Sequence, residues 1–282
     1  MAPRVELLQR TVDMPILKSL VVFAALLVPV WSQTSADQLV QLRHWTGQGV
    51  APVYEGFDVN ADGTFNMWFG YMNHNYEEEP DIPIGPNNAF EPGGDRGQPT
   101  HFSIRRHKDV FKVVVPGDFG DQRLVWTLTA HGHSYKVAGS IDRVWMIDRK
   151  FTTRGGNIEN SASNTPPIVS VQQASAGPGS VTLSVSATDD GLPKRQGKTV
   201  GMTIVWAKYR GPGSVVFDPV RAKLVDGKAG AAATFSEPGE YVLQAVVDDG
   251  SGEVAGNFGY HCCWTNVELT VTVKANRGSA TH

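Results

Sequence analysis

Short apolar runs with a period of two fill the C-terminal half of this chain and leave it little choice of architecture. Val181, Leu183, Val185 and Ala187 alternate with Thr182, Ser184 and Ser186; Met202, Ile204 and Trp206 share a face; Tyr241, Leu243, Ala245 and Val247 share another; Val267, Leu269, Val271 and Val273 close the series. Successive side chains of a strand point to opposite faces, so each run buries one face and wets the other. Shorter runs at 168–171, 215–217 and 231–235 bring the candidates to seven within about 110 residues, separated by turn signals, as in a two-sheet sandwich.

The N-terminal half is organised around residues 54–102. Phe65, Met67, Phe69 and Tyr71 alternate with Thr64, Asn66 and Gly70, and Phe57 and Val59 mark a first arm. Between the arms, Asn60-Ala61-Asp62-Gly63 tolerates positive φ and predicts a tight reversal. Asp58 to Gly63 also resembles the first half of an EF-hand loop, but the twelfth position is Phe69 where a bidentate glutamate is needed, so a hairpin is the expectation. After Asn73 the pattern gives way to acids, asparagines, prolines and glycines, a long polar loop over 73–102 of the kind that is either functional or disordered. Alternation resumes at Phe111, Val113 and Val115 and at Leu124, Trp126 and Leu128. Further strands are predicted over 135–138 and 144–147, with His131-Gly132-His133 as a hairpin tip. A second sandwich of five to seven strands follows.

Composition limits the function. A net charge of -3 without a basic cluster argues against a nucleic-acid partner and against an electrostatic membrane anchor. The apolar run 20–30 after Lys18, with Val30 and Ser32 placed as at a cleavage site, reads as an export signal over 1–32. It is too short to span a bilayer comfortably, so no transmembrane anchor is expected after cleavage. Met14 is the better initiator, since Glu6 and Asp13 are out of place in a positively charged leader. The mature protein is therefore expected in the periplasm or outside the cell.

Residues 164–273 resemble a PKD-type or cadherin-like immunoglobulin module. The resemblance is carried by Asn164-Thr165-Pro166-Pro167, Ala187-Thr188-Asp189-Asp190-Gly191, Phe235-Ser236-Glu237-Pro238-Gly239-Glu240-Tyr241 and Val247-Asp248-Asp249-Gly250. The Trp-Asp-Phe-Gly-Asp-Gly run of the commonest PKD pattern is replaced by Ile204-Val205-Trp206-Ala207-Lys208. The resemblance implies an adhesive, spacer or glycan-contacting role without catalysis. The N-terminal half loosely resembles domains of exported bacterial proteins that carry no assigned activity. The expected organisation is all-β: signal peptide 1–32, N-terminal β-sandwich 33–157, linker 158–167, immunoglobulin/PKD-like β-sandwich 168–275 and a disordered tail 276–282. Within it, Pro238-Gly239 turns the chain and Tyr241 is expected to return its hydroxyl to backbone near that turn, with Trp206 in the core.

Two regions carry candidate chemistry. In an immunoglobulin-like sandwich the second and sixth strands run the same way, so the loops beginning at Asp189-Asp190 and Asp248-Asp249 emerge at one pole, beside the incoming linker. Two readings stand for these acids: a calcium site built from hard oxygen ligands, or turn chemistry with solvated carboxylates. Cys262 and Cys263, the only cysteines, fall near the same pole. Adjacent α-carbons across a trans peptide are about 3.8 Å apart, short of the usual ~4.4–6.8 Å for a disulfide, so a bridge there would be strained. An oxidising compartment favours the vicinal bridge over free thiols. Tyr260, His261 and Trp264 flank it and are candidates for a platform that contacts a sugar or peptide, against the alternative of aromatics packing around a rigid turn. The second region is 73–102, where Glu77, Glu78, Glu79, Asp81, His74 and His101 supply an acid and base inventory for a hydrolase. No nucleophile, metallohydrolase, phosphate-loop or dinucleotide motif accompanies it. The expectation is a non-enzymatic interaction or structural module with an extracellular or periplasmic protein or glycan as partner. A hydrolase built on 73–102 is the alternative.

Overall fold

The computed structural model describes residues 44–147, 154–155, 158–159, 163–251 and 262–274. The leader over 1–32, the tail over 276–282, Tyr260 and His261 lie outside the described residues. Residues from His44 onward form one compact unit that contains two hydrophobic cores.

The first core lies between two three-stranded sheets. One joins β1 (Val50–Val59), β2 (Phe65–Asn73) and β4 (Arg105–Val115); the other joins β3 (Asn88–Glu91), β5 (Leu124–Ala130) and β6 (His133–Gly139). Strand β2 is central to the first sheet, antiparallel to both neighbours, and its expected face is the buried one: Met67, Phe69 and Tyr71 are all at most 4% exposed. Phe69 meets Phe90, Phe111 and Trp126 with ring centroids 5.1, 5.7 and 6.1 Å apart. Asp62 closes the β1–β2 hairpin as a turn residue, its carboxylate accepting the Thr64 N–H at 3.0 Å. The tip between β5 and β6 is a hairpin too, with His131 and Gly132 both at positive φ.

Two expectations fail in this half. Residues 144–147 are not a strand: Arg143–Trp145 forms a 3-10 turn, closed by Trp145 N–H to Asp142 O and Met146 N–H to Arg143 O, and only a single bridge joins Met146 to Phe57. Val144, Trp145 and Met146 are all exposed, so no face exists for a strand to bury. The stretch 73–102 is not a plain loop, because it contains β3 and is braced from within. Asn73 donates to the Glu78 and Phe102 carbonyls, Asn88 to those of Ile82 and Pro99, and Gln98 to that of Gly94. The Trp126 indole donates to Asn88 Oδ1 at 3.0 Å. Fully buried amides satisfy backbone groups that no sheet partner reaches.

Next come β7 (Arg154–Gly155), β8 (Ile158–Glu159), β9 (Ile168–Gly177), β10 (Ser180–Thr188), β11 (Lys194–Arg195) and β12 (Lys198–Thr199). They are followed by β13 (Thr203–Arg210), β14 (Val215–Asp218), β15 (Arg221–Lys223), β16 (Lys228–Phe235), β17 (Gly239–Asp248) and β18 (Trp264–Val273). All seven expected C-terminal strands are present. Together with β15, which the sequence does not announce, they make two four-stranded sheets, β14-β16-β10-β9 and β15-β13-β17-β18, around the second core. This is an immunoglobulin-like arrangement with one departure: the strand after β13 joins the opposite sheet, and the chain then returns so that β15 edges β13. Trp206 N–H marks the return with a 2.9 Å bond to Val220 O. The Tyr241 hydroxyl donates to Glu237 O at 2.8 Å and Trp206 is buried, as the sequence predicts. In the range expected to be a linker, β8 pairs with β11 in a small sheet ordered β12-β11-β8-β7.

Candidate functional site

The acidic turns, the cysteines and the start of the second sandwich do gather at one end. Asp190 Oδ2 accepts the Thr165 N–H at 2.8 Å and its hydroxyl at 3.0 Å, and Asp249 N–H donates to Cys263 O at 3.2 Å. Thr265 donates to Pro167 O at 2.6 Å. Cys262 and Cys263 are buried, with sulfurs within bonding distance and a cis peptide between them. Their α-carbons are 3.0 Å apart, closer than the trans geometry assumed from sequence.

The four carboxylates serve their own turns. Asp189 and Asp190 accept from Gly191 and Leu192 N–H, and Asp248 and Asp249 from Gly250 and Ser251 N–H, all between 2.6 and 3.0 Å. Burial raises the Asp249 carboxyl to about 6 and raises that of Asp189 as well. Among the described residues no group of three or more His, Cys, Asp or Glu side chains is placed to hold a metal ion, so the calcium expectation finds no support there.

Three of the residues of 73–102 that suggested acid–base chemistry, Glu79, Asp81 and His101, are gathered where the second sandwich docks. His101 Nδ1 faces Asp81 Oδ1 at 3.0 Å and Nε2 faces Glu79 Oε2 at 3.1 Å. Burial pulls the His101 pKa down, but the bonds to Asp81 and then Glu79 outweigh it and hold the ring above its ordinary value. A carboxylate at each nitrogen favours the doubly protonated ring, in which neither nitrogen keeps a lone pair to act as a base. Asp81 in turn receives the buried Lys208 ammonium at 2.9 and 3.0 Å, and Lys208 also donates to Gly213 O. Glu78 accepts the Gly47 N–H at 2.6 Å and pairs with His131 at 2.7 Å.

Strand β13 makes this docking possible through a bulge. Its register with β17 shifts between Lys208 and Arg210, so Tyr209 leaves the second core and enters the first, where it is 5% exposed. The Tyr209 carbonyl accepts from Thr100 and His101 N–H, and its hydroxyl donates to Gly97 O. Arg210 forks onto Asp95 at 2.8 and 3.1 Å. On the other side, Gln244 donates to Val110 O at 2.9 Å and Asn266 to Asp109 O at 2.6 Å.

Between the two sandwiches these contacts leave a cleft of about 640 Å³. Trp68, Asp109 and Lys112 line it from the first sandwich, and Arg210, Trp264, Asn266 and Glu268 from the second. Trp264, expected beside the cysteines as a platform, opens onto this cleft together with Pro166. Nothing in the local pattern marks Trp68, Tyr209 or Lys208 as interface residues. Tyr209 and Lys208 are adjacent and both buried, which a single half-buried strand does not allow, and the bulge resolves the conflict by giving Tyr209 to the first core.

No protein family and no curated protein matches the chain. Among solved structures it is similar to a conjugative transposon lipoprotein from Bacteroides eggerthii, at 20% identity over 37% of this chain and 95% of that one, TM-score 0.23. It is also similar to the D00-D0 domain of intimin, at 9% identity over 80% and 99% of the two chains, TM-score 0.28. The D0-D1 domain of intimin gives 10% identity over 80% and 100%, TM-score 0.24. TM-scores this low carry nothing to this chain, and the all-β assignment rests on its own strands and sheets. Among the described residues no helix is long and apolar enough to cross a membrane.

Proposed function

We propose that this chain is an exported, non-enzymatic interaction module that works in the periplasm or outside the cell and receives a glycan or protein partner in the cleft between its sandwiches. One observation carries the reading: of the residues that would serve a hydrolase, Glu79, Asp81 and His101 are committed to a clamp with Lys208, whose geometry leaves His101 no free nitrogen, and Glu78 is held by Gly47 and His131. Catalysis needs a group poised to take or give a proton, and a ring paired on both sides is not poised. A preformed recess suits recognition, since little ordering is needed on binding.

The test has two parts. Fractionation of expressing cells should recover protein that lacks the leader, with mass spectrometry placing the new N-terminus near Gln33. Purified protein should release no product from polymeric glycans, peptides or chromogenic esters. Turnover that disappears in His101→Gln would establish the hydrolase instead.

A further inference from the structure

The lining of the cleft narrows the class of ligand. Trp68 and Lys112 are register partners on β2 and β4, so they project from the same face of their sheet, and Lys112 Nζ sits 5.5 Å from the Trp68 ring centroid. The Trp68 indole N–H is satisfied by Asp58 Oδ2 at 2.8 Å, so towards a ligand the ring offers apolar surface. On the opposite wall Trp264, Asn266 and Glu268 fall at a period of two along β18 and share a face. Asn266 turns its amide donors to the Asp109 and Val110 carbonyls, and its Oδ1 is buried with no hydrogen-bond partner among the described residues. Glu268 accepts one bond, from Gln244 at 3.0 Å, and keeps further acceptor capacity.

Charge separates the remaining candidates. Lys112 and Arg210 are balanced in the lining by Asp109 and Glu268, and Arg210 is already forked onto Asp95. The recess therefore presents no net field to concentrate an anion or a cation. It presents indole surface on both walls, with the Glu268 carboxylate as an acceptor for hydroxyl donors. A pyranose ring has that complement: an apolar C–H face that lies on an aromatic ring and a rim of hydroxyls. We infer that the cleft binds a neutral oligosaccharide, with sugar rings against Trp68 and Trp264 and hydroxyls donating to the Glu268 carboxylate. The volume lies within the ~300–1,000 Å³ of small-molecule sites. This deepens the interaction-module reading and rests on it.

Titration of the full chain with neutral hexasaccharides of glucose, mannose, xylose and N-acetylglucosamine, by calorimetry and tryptophan fluorescence, tests the assignment. At least one should bind saturably. Trp68→Ala and Trp264→Ala should each weaken it by roughly ten-fold or more, the scale of a lost aromatic contact. Trp45→Ala, at an exposed tryptophan that does not line the cleft, should not. If Trp68→Ala fails to fold, Trp264→Phe and Glu268→Gln carry the test. Absence of saturable binding, binding indifferent to these variants, or tryptophan-dependent binding of unstructured peptides in place of the sugars overturns the assignment. Cleavage of a bound hexasaccharide would instead overturn the non-enzymatic reading and leave the cleft as the sugar site, so the two failures are distinct.

Discussion

Asp249 is 1% exposed, and burial raises its carboxyl to about 6. Because the folded value lies above the ~3.9 of an unfolded aspartate, the native state holds the proton longer. Its contribution to stability is full below about pH 4 and is lost as pH rises through about 6. Asp249→Asn keeps an acceptor for the Ser251 N–H and removes the cost of a buried charge. Urea unfolding should therefore find the variant more stable at pH 7 by up to about 3 kcal/mol, with the gain gone near pH 4. An equal difference at both pH values would mean that the carboxyl is solvated. His101 obeys the same sign for a different reason. Its pKa is raised, so its contribution is complete below about 6.5 and is lost as pH rises through the folded value. Glu79 and Asp81 are held below their ordinary values, chiefly by the hydrogen bond from His101 for Glu79 and, for Asp81, by His101 and Lys208 against burial. Their contribution is present above the ordinary carboxylate range and fails as pH falls. The clamp is thus strongest between those limits. In melting curves from pH 5 to 9, His101→Gln should flatten the decline on the alkaline side; an unchanged slope would show that His101 is neutral.

At the scale of elements, β13 joins the two halves. Ile204 and Trp206 are inward, Lys208 continues that face, and the bulge then turns Tyr209 into the other core. Tyr209→Phe loses only the bond to Gly97 O and should cost about 1 kcal/mol. Tyr209→Ala empties a buried aromatic site and should cost about 3–5 kcal/mol in denaturant unfolding. Matching losses in the two variants would place the ring outside the core. The contrast between β13 and β10 explains what was legible in the sequence. Val181, Leu183, Val185 and Ala187 obey a strict alternation because one sheet face meets one core, and β10 was predicted within a residue or two. So was the Tyr241 hydroxyl bond, which depends on residues only four apart. The gathering of Asp190, Thr165, Asp249 and Cys263 at one end followed from strand direction, a topological rule. Strand β3 and its buried amides were hidden because Asn73, Asn88 and Gln98 look like loop residues until their backbone partners are known. The cleft was hidden for a deeper reason: Trp68 and Trp264 become neighbours of one recess only through the docking of two sheets, which local periodicity does not encode.

For the whole molecule the question is whether two cores make two cooperative units or one. A flexible tether would leave each sandwich to melt at its own temperature, because the only coupling would be chain connectivity. Here a tyrosine of one sandwich is part of the other's core, Val242 packs against that same core, and Lys208 and Arg210 reach acids in 73–102. Gln244 and Asn266 cap backbone carbonyls of β4 and would lose those bonds if the halves separated. Unfolding either half alone would expose Tyr209 or its pocket and strip partners from the Lys208 ammonium, which is 3% exposed. Asp81 is half exposed, so stripping it from Lys208 costs less than the about 3–5 kcal/mol of a fully buried pair, yet the loss still weighs against the ~5–15 kcal/mol that holds a domain together. Calorimetry of the wild-type protein should therefore show a single transition whose calorimetric and van't Hoff enthalpies agree. Tyr209→Ala combined with Lys208→Ala should split it into two, the core without Tyr209 melting first. Two resolved transitions in the wild type would mean that the sandwiches act independently, and a cleft between independently moving bodies would lose the preformed shape on which recognition depends.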